Sequence, residues 1–210
     1  MLRIRIDPNG SDAADLEVAA HALRGGGVVA FPTETFYGLA ADPRNAAAVD
    51  TVFRVKGRPA RLAIPLIAAD LAQVIGVAGR LPPLACRLAE AWWPGPLTIV
   101  MPAWDGLTPA LLENGTVAVR VSGLPAARAL ARALGHPVTS TSANLSGELP
   151  ARDADAVAAS LGRGIDVLLD GGATAGGLPS TIVDVTGTAP RLIRAGAVTW
   201  DRVLECLNSP

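Results

Sequence analysis

The chain has 210 residues, half of them hydrophobic, which is enough to bury a substantial core as one large domain or two small ones. Its formal net charge is −1 and its isoelectric point lies near 6.1, so bulk charge gives no attraction to nucleic acid or to an anionic membrane. Two cysteines and two histidines are too few for a disulfide framework or a multi-histidine metal site. Any anion site must therefore be local.

The N-terminal residues 1–7 lack the apolar stretch of a signal peptide. No apolar run elsewhere in the sequence reaches the length needed to span a bilayer. These two features predict a soluble, cytoplasmic protein without membrane contact.

The first elements of the chain alternate between strand and helix. A strand is predicted at Leu2 to Ile6, a helix at Asp12 to Arg24 with Ser11 as its cap, and a buried strand at Val28 to Phe31 that ends at Pro32. This alternation is typical of an α/β fold.

The next predicted helix starts at Asn45 and ends in Lys56, the only lysine among 18 lysine and arginine residues. A compact ammonium can point at one oxygen, whereas a guanidinium is a planar fork. With Arg58 across Gly57, the lysine resembles a clamp for an anion such as a phosphate. The alternative is structural, because a cation followed by glycine also suits the C-terminus of a helix.

The rest of the chain continues the same pattern up to the C-terminus. Further helices are predicted at Leu84 to Trp93, Ala126 to Leu134, Ala154 to Leu161 and Thr199 to Leu207. Further strands are predicted at Ile64 to Ala68, Leu97 to Met101, Thr116 to Val121, Pro137 to Thr139, Val167 to Leu169, Thr181 to Val185 and Arg191 to Arg194. Several strands follow one another directly, so the expected fold is a single domain with a mixed parallel and antiparallel open sheet flanked by helices.

The common nucleotide-binding motifs are absent, since the lone lysine is followed by Gly57 rather than Ser or Thr and no G-x-G-x-x-G occurs. Instead, small hydroxyl residues cluster after strands, at residues 32–35, 139–147 and 179–181. Hydroxyls and free N–H groups there can surround phosphate or carboxylate oxygens. Each cluster alone is more typical of a turn or a helix cap.

Seven ordered segments together are more specific than any one of them. They are Phe31 to Leu39, Lys56 to Pro59, Trp93 to Thr98, Val117 to Arg120, Ser140 to Gly147, Ser180 to Asp184 and Leu192 to Gly196. In this order they resemble the YrdC-like family of L-threonylcarbamoyladenylate synthases, over about residues 13–200. The chain is similar to the single-domain bacterial form, and from its length we expect it to lack the additional C-terminal domain of longer members.

The resemblance implies a reaction of L-threonine, bicarbonate or CO2 and ATP that yields threonylcarbamoyl-AMP and pyrophosphate. The product would feed the N6-threonylcarbamoyl modification of adenosine 37 in tRNA. Mg²⁺ is the implied cofactor, held through the ATP phosphates rather than by protein ligands. The resemblance also implies transient contact with the tRNA threonylcarbamoyl-transferase complex and weak binding of tRNA.

Site residues are also implied by the resemblance, within a concave anion-binding cleft. The catalytic group comprises Lys56, Arg58, Ser142 and Asn144. The ATP side comprises Lys56, Arg58, Thr116, Ser142, Pro150 and Arg194. The threonine side comprises Thr35, Arg120, Ser140 and Ser180, with Arg120 as the natural partner of the substrate carboxylate.

The residues themselves leave alternatives. Arg120 could be a solvated strand residue and Arg194 a surface cation. Departures from the family pattern occur at Arg61 to Ile64, at Ile67 and at Pro179, which affects fine substrate contacts.

A second hypothesis for the function is an RNA-binding or ribosome-assembly module that uses the cluster Arg54, Lys56, Arg58 and Arg61. A third is a carbamoyl-transfer relative with another acceptor.

Overall fold

The computed structural model describes residues 1–10, 12–57, 64–104 and 106–208, and within them the fold is mixed α/β. The strands are β1 (Leu2–Arg5), β2 (Val29–Phe31), β3 (Gly38–Ala40), β4 (Leu66–Ala68), β5 (Leu97–Pro102), β6 (Thr116–Val121), β7 (Val138–Thr139), β8 (Thr141–Ser142), β9 (Val167–Asp170), β10 (Thr181–Asp184) and β11 (Arg191–Arg194). The helices are α1 (Ala13–Arg24), α2 (Ala46–Val55), α3 (Leu71–Ala78), α4 (Pro83–Trp92), α5 (Pro125–Leu134), α6 (Ala154–Leu161) and α7 (Trp200–Asn208). A short 3₁₀ turn covers Pro109–Leu111.

These strands form two mixed sheets. The first has the order β1-β9-β2-β3-β8, and the second has the order β11-β10-β5-β6-β4-β7. Both contain parallel and antiparallel pairs, for example β2 parallel to β9 and antiparallel to β3. The predicted mixed α/β class is therefore confirmed, but the strands are divided between two sheets where one was expected.

The chain crosses between the sheets at Ser140. Thr139 in β7 pairs with Leu66 in the second sheet, and Thr141 in β8 pairs with Leu39 in the first. The Ser140 N–H donates to the Pro65 carbonyl at 2.7 Å, which fixes the crossing. A crossover one residue long has no linker composition, so the sequence gives no sign of it.

Strand alternation supplies two hydrophobic cores, because successive side chains point to opposite faces of a sheet. In β4, Leu66 and Ala68 belong to the larger core that both sheets share, while Ile67 belongs to a smaller core against α1 and α5. Arg120 pairs in register with Ile67 in the neighbouring β6. Arg120 therefore faces away from Val119 and Val121, which lie in the larger core.

The predicted helices and strands all occur, with shifts of up to a few residues at their ends. At α1 the cap is Asp12, whose carboxylate accepts from the Ala14 N–H at 2.9 Å, whereas Ser11 lies outside the described residues. Sequence reasoning missed α3, although Asp70 caps it by accepting from the Gln73 N–H at 3.1 Å. It also missed β3 and β8, which are only three and two residues long. Within the described ranges, no helix combines the length and the apolar character needed to cross a membrane.

Candidate active site

A cavity of about 550 Å³ is lined by residues from both sheets. Seven predicted site residues line it: Thr35, Arg120, Ser140, Ser142, Pro150, Ser180 and Arg194. They come from distant parts of the chain, and the two-sheet arrangement brings them together. The departures Ile67 and Pro179 line the same cavity.

Arg120 enters the cavity from β6 and is only 6% exposed. Its Nη1 donates to Glu34 Oε1 at 2.5 Å, and the other Glu34 oxygen accepts from the Ser122 hydroxyl. Glu34 lies in the turn between β2 and β3, so this ion pair joins the two sheets. Arg120 is thus a buried, paired cation, and the alternative of a solvated strand residue is wrong.

Arg194 lies on the edge strand β11 and is held against Ser180. Its Nε and Nη2 donate to the Ser180 carbonyl at 3.1 and 2.7 Å, and Nη2 also lies 3.0 Å from Ser180 Oγ. Ser180 Oγ in turn lies 2.9 Å from Thr98 Oγ1, which is almost completely buried. The strand-end hydroxyl of Ser180 is therefore fixed by a guanidinium on one side and a threonine on the other.

Two arginine guanidiniums bring positive charge to the cavity, and the Glu34 carboxylate pairs with that of Arg120. Burial lowers the pKa of Arg120, while the neighbouring Glu34 carboxylate favours its charged form. Arg194 is exposed overall, but partial burial of its guanidinium against Ser180, together with the positive charge of Arg120, lowers its pKa. The two guanidiniums are close enough for their like charges to affect one another, and an anion bound near both would relieve that repulsion.

Thr35 offers the cavity a hydrogen-bond acceptor, whereas the two arginines offer donors. The Thr33 hydroxyl donates to the Phe36 carbonyl at 2.7 Å, so its only hydrogen is used. In the 3.1 Å contact between Thr33 and Thr35, Thr35 must then be the donor. This leaves lone pairs of Thr35 Oγ1 to accept from an N–H or O–H group in the cavity.

Lys56 and Asn144 do not line the cavity but lie directly behind it. The Lys56 ammonium donates to the Ser142 carbonyl at 2.5 Å and to the Asn144 carbonyl at 2.9 Å. Ser146 N–H donates back to the Lys56 carbonyl at 2.9 Å. Lys56 is only 3% exposed, so it is a buried clamp on the turn that follows β8.

The remaining predicted residues are placed less centrally. The Thr116 hydroxyl donates to the Glu113 carbonyl at 2.7 Å, and it is Glu113 that lines the cavity. Arg58 lies outside the described residues, as do Arg61 and Leu62.

Sequence reasoning missed three further residues at this site. Glu34 and Thr98 occur inside segments that carried the family resemblance, but only their partners were selected as site residues. Tyr37 is buried beside the cavity, where its hydroxyl donates to the Gly172 carbonyl at 2.7 Å and accepts from the Gly171 N–H at 3.1 Å. The signal that could have found all three was a polar side chain next to a buried strand end. Among the residues that the structure covers, no cluster of three or more His, Cys, Asp or Glu side chains is suited to hold a metal.

The family model for Sua5, YciO and YrdC, described as "Telomere recombination", matches residues 21–196. The chain belongs to this family. It is 39% identical over 187 residues to a threonylcarbamoyl-AMP synthase of Bacillus subtilis, covering 88% of the chain and 54% of that relative. It is 44% identical over 159 residues to a threonylcarbamoyl-AMP synthase of Stenotrophomonas maltophilia, covering 74% of the chain and 86% of that relative.

Among solved structures, the family's fold is matched by P. abyssi Sua5 complexed with L-threonine. The TM-score is 0.92 at 33% identity, over 99% of this chain and 61% of that chain. The chain thus spans only a little more than half of the B. subtilis and P. abyssi proteins. What those longer proteins do as a whole is therefore carried to this chain only as a proposal.

Proposed function

We propose that the protein is an L-threonylcarbamoyladenylate synthase that uses L-threonine, bicarbonate or CO2 and ATP. The observation that carries the proposal is the buried Arg120 guanidinium in the inter-sheet cavity of a chain similar to a Sua5 protein crystallised with L-threonine. Guanidinium matches a carboxylate in charge and in planar geometry. The names of the curated relatives support the same activity.

In the proposed reaction, the amine of threonine adds to CO2 with loss of a proton, or to bicarbonate with loss of water, and becomes a carbamate. The carbamate oxygen then forms a bond to the α-phosphorus of ATP while the bond from that phosphorus to pyrophosphate breaks. No covalent intermediate with a side chain is needed. Catalysis would come from positioning and from charge stabilisation on the phosphoryl oxygens.

The threonine side of the proposed site is made of Thr35, Arg120, Ser140 and Ser180. Arg120 would bind the carboxylate, and the lone pairs of Thr35 suit an N–H or O–H group of the substrate. Ser140 lies at the crossover between the sheets, where its position is set by both.

The ATP side of the proposed site is made of Lys56, Arg58, Thr116, Ser142, Pro150 and Arg194. Ser142 and Pro150 line the cavity, and Arg194 supplies charge from its rim. Lys56 would act together with Asn144 on the turn that carries Ser142. Thr116 would contribute through the end of β6 that also places Glu113 at the cavity.

Mg²⁺ would enter with ATP, since this ion keeps several waters and is usually bound by phosphates with one or two carboxylates. Glu113 is a carboxylate at the cavity and could bind a magnesium-held water. Bound there, the ion would neutralise phosphate charge in the reaction.

The proposed product would supply the N6-threonylcarbamoyl modification of adenosine 37 in tRNA, through transient contact with the transferase complex. Direct RNA binding would be weak. The hypothesis of an RNA-binding module relied on Lys56 as part of a basic surface, but Lys56 is buried. Arg54 on the same helix is exposed, and Arg58 and Arg61 lie outside the described residues.

An omission series tests the proposal. Pyrophosphate release should require threonine, bicarbonate, ATP and Mg²⁺ together, and it should proceed without RNA. Release that ignores threonine and bicarbonate would favour a carbamoyl-transfer relative with another acceptor. Release that depends on added tRNA would favour the RNA-binding alternative, whose affinity should fall steeply with salt.

A further inference from the structure

Glu34 is not among the residues that the family resemblance selected, yet both of its carboxylate oxygens are bound at the cavity. One accepts from Arg120 Nη1 at 2.5 Å and the other from the Ser122 hydroxyl. The side chains of Arg120 and Glu34 are 8% and 19% exposed. Arg120 lies in β6 and Ser122 directly follows the last residue of that strand, so one carboxylate bridges the end of β6 and the start of the next loop.

The segment of Ser122 and Gly123, which Glu34 contacts through the Ser122 hydroxyl, is itself held by further hydrogen bonds. The Ser122 hydroxyl accepts from the Leu124 N–H at 3.2 Å, and Arg128 on α5 donates to the Ser122 carbonyl at 2.5 Å and to the Gly123 carbonyl at 2.9 Å. Glu34 therefore connects the turn after β2 to a segment held by a helix, and rotation of its carboxylate would break both oxygen contacts.

The guanidinium of Arg120 carries five N–H donors, and only the Nη1 bond to Glu34 is seen within the described part of the chain. The remaining donors are available to the cavity that Arg120 lines. An arginine side chain without a fixed partner samples many rotamers, and ordering it on binding costs free energy. A carboxylate on one side of the guanidinium removes that freedom in advance.

We propose that Glu34 is a positioning residue that orients Arg120 for the carboxylate of the amino-acid substrate. It acts through Arg120 and does not touch the substrate. The inference rests on the proposed function, in which Arg120 binds that carboxylate. Loss of Glu34 should therefore change the KM for the amino acid and not the KM for ATP.

A double-mutant cycle separates this role from general stability. Glu34→Ala should raise the KM for threonine roughly tenfold, as expected for loss of a hydrogen bond to a charged group, and should leave the KM for ATP within about twofold. In an Arg120→Ala background the same change should have almost no further effect, because residues that act through one another are not additive. Glu34→Gln keeps an oxygen acceptor for Arg120 and should restore most of the threonine affinity.

The matched control is Glu17→Ala, which removes a carboxylate paired with Arg24 on the surface of α1. It should change neither KM. Melting temperatures of all variants show whether each is folded. If Glu34→Ala does not fold, the KM values of Glu34→Gln are compared with those of the wild type instead. Equal increases in both KM values, or additive effects of Glu34→Ala and Arg120→Ala, would overturn the positioning role.

Failure of the inference can be told from failure of the proposed function. A wild-type enzyme that releases pyrophosphate only with threonine, but whose Glu34 variants are unchanged, would contradict the inference alone. A wild-type enzyme whose pyrophosphate release ignores threonine would contradict the proposed function and the inference together.

Discussion

The ammonium of Lys56 lies 2.9 Å from the main-chain carbonyl oxygen of Asn144 and 3.5 Å from its side-chain oxygen. With the Ser142 carbonyl at 2.5 Å, three oxygens surround one nitrogen. An ammonium has three hydrogens that can point in three directions, whereas a guanidinium presents its hydrogens in a plane. This geometry gives a physical reason for the single lysine in a chain that otherwise uses arginine.

The first prediction concerns this clamp. Lys56→Ala should lower turnover by roughly 10²-fold, the effect of a displacement of about 1 Å at the reacting groups, because the turn that carries Ser142 and Asn144 loses the ammonium that holds it. It should also lower stability by about 1–3 kcal/mol, because buried carbonyls lose their partner. Lys56→Arg should not restore activity, since the planar fork does not fit three oxygens around one point. Pyrophosphate release and thermal unfolding measure the two effects.

Arg54→Ala is the matched control for the lysine variants, because Arg54 is an exposed cation on the same helix. It should keep both activity and melting temperature. Full activity of Lys56→Ala and Lys56→Arg with a lowered melting temperature would leave Lys56 a structural helix-end residue.

The second prediction concerns Thr98, which is 1% exposed and contacts Ser180 Oγ at 2.9 Å. If Thr98 donates, Ser180 accepts from both Thr98 and Arg194 and must direct its own hydrogen into the cavity. Thr98→Val keeps the shape of the side chain but removes the hydroxyl that orients the Ser180 hydrogen. The KM for threonine should therefore rise roughly twofold to tenfold. Thr98→Ser keeps the hydroxyl and should behave like the wild type. A valine variant with unchanged KM would show that Ser180 needs no such support.

The third prediction concerns the choice of amino acid. A site that hydrogen-bonds the substrate hydroxyl can reject an analogue without it by roughly 10⁴–10⁵, whereas a missing methyl group is worth only about 10–200-fold. Ser180 and Ser140 both line the cavity and could bind that hydroxyl. Valine should therefore be a much poorer substrate than serine in competition with threonine. Equal use of valine and threonine would mean that the cavity reads shape alone.

Much of the fold could be predicted because its helices and longer strands carry strong periodicity. The stripe of Val49, Val52 and Phe53 is buried as expected, and the run ending at Phe31 forms a buried strand. The division into two sheets could not be predicted. It depends on β3 and β8, which are too short for a period to be visible, and on a crossover at the single residue Ser140.

The sequence predicted which residues line the site better than it predicted which residues hold them in place. Family resemblance selected Arg120 and Ser180, and both line the cavity. Glu34 and Thr98 stand out only as polar residues near strand ends, and their pairing with Arg120 and Ser180 could not be predicted because contacts across 86 and 82 sequence positions leave no local pattern. Long-range partners of this kind become visible only when the sheets are assembled.

The last prediction uses Tyr37, the only tyrosine in the chain. Burial raises the pKa of its hydroxyl to about 12, and the phenolate could no longer donate to the Gly172 carbonyl. Because the folded state holds this proton more tightly than the unfolded state does, its contribution to stability is complete below about pH 10 and is lost as the pH rises toward 12. Phenolate absorbance should therefore titrate near 12 in the folded protein and near 10 after denaturation, and Tyr37→Phe should abolish the signal. A folded-state midpoint near 10 would show that the hydroxyl is solvated and that its bond to Gly172 is not maintained.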